Sequence, residues 1–578
     1  MPVLNFFRPR GQAPALRKGT KSFACPYCFE TIRHDEVCFL VPYTQQEITY
    51  TEAELSVMDP AVAEKIRQEQ AKIAPFRKRD SDEKLENFWR HLGGIDAYSN
   101  NPAFEEELQW NSPLVTPENA GEMTESGYEK DNDGFVVSVT DRLSKKPSKL
   151  RLCPHCHNVL PEGYGKYPLY FTSIVGITSS GKTVYLTQLL SEIETYLGRM
   201  GVNVCYKDKE ARRFENIRDS STILPNATTR NDLRPPITIT AQEGSSFYTL
   251  VFYDIAGENC VDADKQELFG PYISHADGII VLMDPAQFPQ LRTQIEAKHS
   301  GAIGAENTAS VNSVLQTMYQ SFLTERMNQA GRVEIPFAFI VSKSDYLDEI
   351  LSDDPNWKNS VIFDNLPVPK KSEKLKRRVV SYGELVSIDH AVRQLLEENG
   401  DPTLYEQIRT SFANSRFFAV SALSCGTRWV LSHTAELKGS YNIFLDDESE
   451  NRKIFIELSP DSDECLASRR ALRELLTRDH NTLLRYDLKT RELTEIISLP
   501  EARDRNALYL EADVKNTGKT GFYELFFSEN AADEGQSPVL TQGAKFDLLK
   551  LPETHPQPRR IAEPLYWMLS QFGLLAVE

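Results

Sequence analysis

The stretch YFTSIVGITSSGKTVYLTQLL, residues 170–190, decides the fold. Tyr170–Val175 is apolar and β-rich, and Thr183–Leu197 has helical composition. Between them lies Gly176-Ile-Thr-Ser-Ser-Gly-Lys-Thr183, a full GxxxxGK[ST]. A glycine-rich loop that leaves a strand and opens a helix turns its amides, and the positive end of the helix dipole, on an anion. In this pattern Gly176, Ser179, Ser180 and Gly181 line the loop. Lys182 would reach β- and γ-phosphates, and the Thr183 hydroxyl would bind Mg2+. A second GKT, Gly518-Lys519-Thr520, has Asp513 where the first glycine is needed and reads as a turn.

Downstream, short apolar runs alternate with amphipathic helical stretches, the rhythm of a mostly parallel α/β sheet. Strands are expected at Pro236–Gln242, Phe247–Asp254, Gly278–Asp284, Pro336–Ser342 and Arg416–Ser421, with helices at Val311–Gln329 and Tyr382–Glu398. Three strand ends carry polar signatures. Asp254-Ile-Ala-Gly257-Glu258 would bring a carboxylate near Mg2+ through water and the Gly257 amide near a γ-phosphate. Ser342-Lys343-Ser344-Asp345 offers a carboxylate that can accept from the ring N–H and exocyclic amine of guanine, with the Lys343 stem along the base. Ser421-Ala422 puts a backbone amide where it can contact the guanine O6. Each is weak alone. In this order, each at a strand's carboxyl end, they describe one ligand edge.

Four of the nine cysteines form two CPxC pairs, Cys25/Cys28 and Cys153/Cys156. Each pair can aim two sulfurs at one tetrahedral centre, so together they offer Zn2+ four thiolates. The 124 residues between them exceed a usual ribbon spacing, but loop closure costs grow only logarithmically with length. A composite zinc ribbon is therefore expected. Two separate knuckles or a redox CxxC are the alternatives, with His155 and His157 as other possible ligands. Cys38, Cys205, Cys260, Cys425 and Cys465 stand alone and suit small buried positions.

The 578 residues carry 65 Lys+Arg against 83 Asp+Glu, net −18, which excludes a general nucleic-acid coat but not a local basic site. Residues 91–140 hold ten acids and one base, −9, half of that total. With Pro, Asn and Gly among them they read as an acidic linker, after a helical stretch at Thr51–Lys72 and a polar, charged stretch at Arg77–Leu92 that contains Trp89. No apolar run approaches the roughly 18–20 residues that span a bilayer. Residues 1–24 are basic, with Pro9 and Pro14 interrupting any secretory apolar region, and read as a flexible tail. The expected compartment is reducing and cytoplasmic.

Beyond Trp429 the pattern becomes strand after strand, Tyr441–Leu445, Lys453–Leu458, Leu483–Leu488, Glu495–Leu499, Ala507–Val514, Phe522–Phe527 and Lys545–Leu551, with a helix at Asp463–Arg478. The chain closes on Ile561–Leu575, where Leu565, Met568, Leu569 and Phe572 make an apolar stripe that needs a sheet. The expected organisation is a tail (1–24), a ribbon (25–40 with 148–166), an insert (41–147), an α/β domain (167–430 with 558–578) and a β-rich insertion (431–557).

With these motifs in hand, the sequence resembles the Ras-like GTPases of the translation-factor-related class over about Tyr167–Leu423 and the last helix. More narrowly, CPYC and CPHC ahead of GITSSGKT, DIAGE, SKSD, FFAVSAL and EPLYWML resemble the double-GTPase proteins of bacterial conflict systems. That resemblance implies a GTP-hydrolysing switch with Mg2+ and Zn2+, regulating a defence response alongside a companion GTPase or effector. Two positions depart from the family pattern. Ser342 replaces Asn or Thr. Glu258 stands where the water-orienting glutamine is placed, and could act as a base or repel the γ-phosphate. Thr228 or Thr229 is the candidate switch threonine, and Arg230 or Arg234 a candidate arginine finger. The rival readings are an ATPase, a nucleotide-holding scaffold with little turnover, and a ribbon that grips nucleic acid.

Overall fold

The computed structural model describes residues 22–42, 50–91, 110–176, 180–212, 235–298, 311–351, 354–424, 427–433, 442–446, 453–458, 483–487, 492–496, 508–516, 522–527, 545–552 and 557–578. Residues 1–21 of the basic tail, Thr228, Thr229, Arg230, Arg234, Ser179 and the helix expected at Asp463–Arg478 lie outside these residues, while the tail's last three, Ser22–Ala24, form a strand paired with Thr31–Arg33.

A seven-stranded sheet organises the centre. Its strands are β1 (Leu169–Gly176), β2 (Asn203–Lys207), β3 (Ile237–Glu243), β4 (Ser246–Ala256), β5 (Gly278–Met283), β6 (Phe337–Val341) and β7 (Ser415–Ala419), in the order β2-β3-β4-β1-β5-β6-β7. β4, β1, β5, β6 and β7 run parallel, while β2 and β3 add an antiparallel edge. Every residue of β5 and β6 is buried, as unbroken apolar runs require in a parallel sheet covered on both faces. The chain leaves β1 towards β4 on one side and returns past it to β5 on the other. A switch of direction of this kind opens a crevice at the carboxyl ends of the strands.

α1 (Lys182–Ser191) follows β1 and ends at Glu192, where a separate turn of helix, Ile193–Arg199, takes over the expected single helix. Further on lie α2 (Ala263–Ser274), α3 (Tyr382–Asn399) and α4 (Glu563–Gln571). The stripe on α4 finds the sheet it needs: Gly278 opens β5 because any Cβ there would collide with Met568 and Phe572, and Trp567 packs on Phe418. The α-helix expected at Val311–Gln329 stops at Thr317, widens into a π-helical turn over Met318–Phe322 and tightens into a 3-10 turn at Thr324–Arg326. Thr51–Lys72 is likewise two helices, Glu52–Ser56 and Pro60–Ile73. Asp59 caps the second and Pro60 cannot continue the first.

The stretch read as an acidic linker contains structure. Thr124–Lys130 and Val136–Asp141 form a hairpin, turned where Asp131 accepts from the amides of Asp133 and Phe135 and Gly134 takes φ +82°. Glu129 accepts from Ser138 and Thr140 across the pair, at 2.6 Å each. Several of these acids thus build a turn and a cross-strand contact, which composition alone disguises as solvation.

The β-rich insertion is an eight-stranded antiparallel sheet among the described residues. It begins earlier than expected, with β8 (Thr427–His433), which pairs along its whole length with the last strand, β9 (Lys545–Pro552). The two strands that leave and re-enter the α/β domain therefore form a common stem.

Candidate functional site

The parallel strands end level with one another. Ala256 pairs with Gly176, Gly176 with Leu282, Met283 with Val341, and Val341 with Ala419. The segments that follow these ends carry most of the residues singled out in the sequence. Gly257 donates to the Gly176 carbonyl at 2.8 Å, joining the phosphate-type loop to the DxxG turn.

At the loop itself, Gly181 caps α1 with φ +71° and no side-chain acceptor, leaving the helix amides available to an anion. Ser180, Lys182 and Thr183 are buried. The Lys182 ammonium lies 2.5 Å from Asp254 Oδ1, and Thr183 is the second residue of α1. A hydroxyl and a carboxylate are the oxygen donors that Mg2+ takes while keeping several waters. Thr183 and Asp254 are donors of the chemical type that such an ion takes. Gly176 is fixed by sterics: a Cβ there would sit 2.6 Å from Lys182 Cβ and 2.7 Å from Ser180 Oγ. Gly176→Ala is expected to cost about 1–3 kcal/mol of stability and to abolish nucleotide binding. Gly198→Ala, where a Cβ meets nothing within 4 Å, serves as the neutral control. Urea melts and a fluorescent-nucleotide titration check both.

Lys343 takes φ +48°, and its stem passes Gly181, whose added Cβ would be 3.7 Å from Lys343 Cε. The ammonium bonds Asp284 Oδ2 at 2.6 Å. Burial opposes its charge, and Asp284 more than offsets that, raising Lys343 above the usual lysine range. Asp284 was missed in the sequence, although a buried acid one residue beyond the apolar run of β5 was the available signal. Ser342 spends its hydroxyl on the Met283 carbonyl at 2.9 Å, tying β6 to β5. Ser344 donates its amide to Val420 at 3.1 Å. Ser421 Oγ donates to Asp345 Oδ1 at 2.6 Å and accepts from the amide and hydroxyl of Ser424, each at 2.9 Å. Ala422 follows Ser421 and is partly buried. Glu258 starts a short helix, Glu258–Val261, directly after Gly257.

A second centre lies elsewhere. The sulfurs of Cys25, Cys28, Cys153 and Cys156 all fall within 4.8 Å of one another, with Cys25–Cys156 and Cys28–Cys153 at 3.8 Å. Four sulfurs at about 2.3 Å from one tetrahedral ion are spaced by about 3.8 Å. The cluster is thus positioned to bind a metal ion such as zinc. The knuckles repeat each other. Cys25 and Cys153 accept from the amides two residues on, Tyr27 and His155, and Phe29 and His157, each four residues past the first cysteine, take φ +59° and +54°. Burial pushes the Cys25 and Cys156 thiols up, so thiolates there need a cation to offset their desolvation. His155 and His157 are not in the cluster. His157 instead bonds Asp82 at 2.8 Å, and Asn158 links Trp89 to the Cys156 sulfur.

The first knuckle is built onto the sheet. Tyr253 and Tyr272 donate their hydroxyls to the carbonyls of Pro26 (3.0 Å) and Tyr27 (3.2 Å). Phe29 packs among Phe171, Tyr253, Tyr272 and His275. Tyr253 immediately precedes Asp254.

No family model matches the sequence. It is 27% identical over 174 residues to SaeC of Mycolicibacterium smegmatis, a candidate ESX-1 scaffolding and assembly protein. That match takes in 28% of this chain and 44% of the relative, so less than half of the relative's length is spanned. Among solved structures, the Arl6 BBS3 small GTPase of Trypanosoma brucei with bound GppNp is 13% identical, covering 44% of this chain and 87% of that one, at a TM-score of 0.18. Sup35 complexed with GMPPNP is 9% identical, covering 69% and 89%, also at 0.18. Scores that low carry no weight, and the strand order and side-chain geometry stand by themselves. No helix among the described residues is long and apolar enough to cross a membrane.

Proposed function

We propose that this chain is a Mg2+-dependent GTP-binding and GTP-hydrolysing switch with a structural zinc centre, working in a reducing compartment such as the cytoplasm. The observation that carries it is the convergence on one sheet edge of the Lys182–Asp254 pair, the Lys343 stem against Gly181 and the Ser421–Asp345 bond. Phosphate, metal and base chemistry then fall in the order that one nucleotide requires. In this reading Lys182 and the loop amides hold the phosphates, Thr183 and Asp254 hold Mg2+, and Gly257 senses the γ-phosphate. Asp345, oriented by Ser421, reads guanine, while the Ala422 amide meets its O6. Thr229 and Glu258 belong to the loops that respond, and a protein partner reads them. The division into ribbon, α/β domain and β-rich insertion is part of the same proposal.

Base choice tests it. Asp345→Asn replaces an acceptor with a donor, so GTP affinity is expected to fall at least tenfold, about 1.4 kcal/mol. Xanthosine triphosphate, with a carbonyl in place of the exocyclic amine, is expected to gain. Competition titrations with GTP, ATP and XTP measure this, and ATP binding as tightly as GTP to the unmodified chain would sink the guanine reading.

The partial likeness to a scaffolding protein, together with Glu258 in place of a glutamine, favours a second reading in which nucleotide is held with little turnover. Single-turnover phosphate release, with and without Glu258→Gln, separates the two. A companion GTPase or effector is the partner that the sequence resemblance suggests. A role in defence gains no support from a relative whose name concerns scaffolding and assembly, and it is not part of the proposal.

A further inference from the structure

We infer that Arg559 is a positioning residue for base recognition, and that the β-rich insertion controls nucleotide release through it. The inference rests on the nucleotide-switch reading above. Ser421, which orients Asp345, is held from its other side by the chain returning from the insertion. The Arg559 amide donates to the Ser421 carbonyl at 2.8 Å, and the Ser421 amide donates to the Arg559 carbonyl at 3.2 Å. Gln557 adds a bond to the Leu423 carbonyl at 2.8 Å. This returning segment is clamped at two consecutive residues. The Arg559 guanidinium pairs with Asp348 at 2.5 Å and donates to the Phe363 carbonyl at 3.1 Å. Asp348 lies one turn of helix after Asp345, in Asp345–Leu351. Arg560, at φ +54°, points its buried guanidinium the other way, to Glu563 at 2.8 Å and Glu384 at 3.2 Å.

Arg559 therefore bridges both halves of the base-reading edge, the helix that Asp345 begins and the loop that Ser421 begins. The stem strands adjoin the Ser421 loop and the returning Arg559 segment: β8 begins three residues beyond Ser424, and β9 ends five before Gln557. A partner that moves the insertion pulls on the Ser421–Arg559 pairing, and through it on the Asp345 carboxylate. Base recognition is the contact such a movement would loosen.

The test uses the full chain loaded with mant-GDP. Arg559→Ala is expected to speed mant-GDP release at least tenfold with little change in the association rate, and Arg559→Lys, which keeps the pair with Asp348, to restore most of the retention. Asp348→Asn is expected to speed release similarly, with no further gain in the double variant. It also carries the test alone if Arg559→Ala does not fold by thermal melting. If the unmodified chain retains mant-GDP, exchanging it for GTP and not ATP, and both variants release it within twofold of that rate, Arg559 is merely structural. If the unmodified chain retains no mant-GDP at all, the nucleotide reading fails first and this inference falls with it.

Discussion

Lys182→Ala is expected to lower nucleotide affinity by at least a hundredfold and to leave no measurable phosphate release. Two charge-assisted hydrogen bonds, one to each of two phosphates, contribute about 1.5–3 kcal/mol apiece, and about 1.4 kcal/mol is tenfold. Part of the effect appears without nucleotide. Lys182 and Asp254 are both buried and 2.5 Å apart, and removing one partner of a buried pair typically costs about 3–5 kcal/mol. The two effects separate in the double variant Lys182→Ala/Asp254→Asn, which removes the uncompensated charge. Its melting temperature is expected to recover while nucleotide binding stays lost. Fluorescent-nucleotide titration and thermal melting of the same samples measure both, and a double variant that binds normally would remove Lys182 from the site.

The α/β centre was readable because its signals are local. Gly176–Thr183 marks the end of a strand and the start of a helix within one short stretch, and the unbroken apolar runs of β5 and β6 leave little choice but buried parallel strands. Four cysteines were readable as one centre because thiolate chemistry ignores sequence separation. What sequence could not supply were partners chosen by tertiary contact. Asp284 acquires meaning only when Lys343 bends towards it in a left-handed conformation, and Ser342 only when its hydroxyl finds Met283. Arg559 is separated from Ser421 by the whole insertion, so no local pattern joins them. The hairpin at Thr124–Asp141 was read as linker because its acids outweigh its alternation. Asp131 and Glu129 are spent on turn and cross-strand bonds that composition cannot reveal.

Metal removal is the perturbation that should travel farthest. Cys153→Ser is expected to abolish stoichiometric zinc, about one ion per chain, and to lower the melting temperature by several degrees or more, because binding energy at a structural zinc site is folding energy. The loss should also reach the nucleotide edge. The first knuckle receives hydroxyls from Tyr253 and Tyr272 and seats Phe29 among aromatic rings of β1, β4 and α2. β4 carries Asp254 one residue past Tyr253, so a collapsed knuckle releases the strand that places the carboxylate proposed to hold Mg2+. Tyr253→Phe isolates that coupling, since it removes the bond to Pro26 and leaves the four sulfurs alone. Its zinc content should be unchanged and its nucleotide affinity about fivefold weaker, the value of one hydrogen bond of about 1 kcal/mol. Zinc analysis, melting and nucleotide titration on the two variants decide the matter. If Cys153→Ser loses its zinc yet melts and binds nucleotide as the unmodified chain does, the two centres are independent. If Tyr253→Phe alone weakens binding while zinc stays bound, the knuckle acts on the switch through that hydroxyl rather than through general stability.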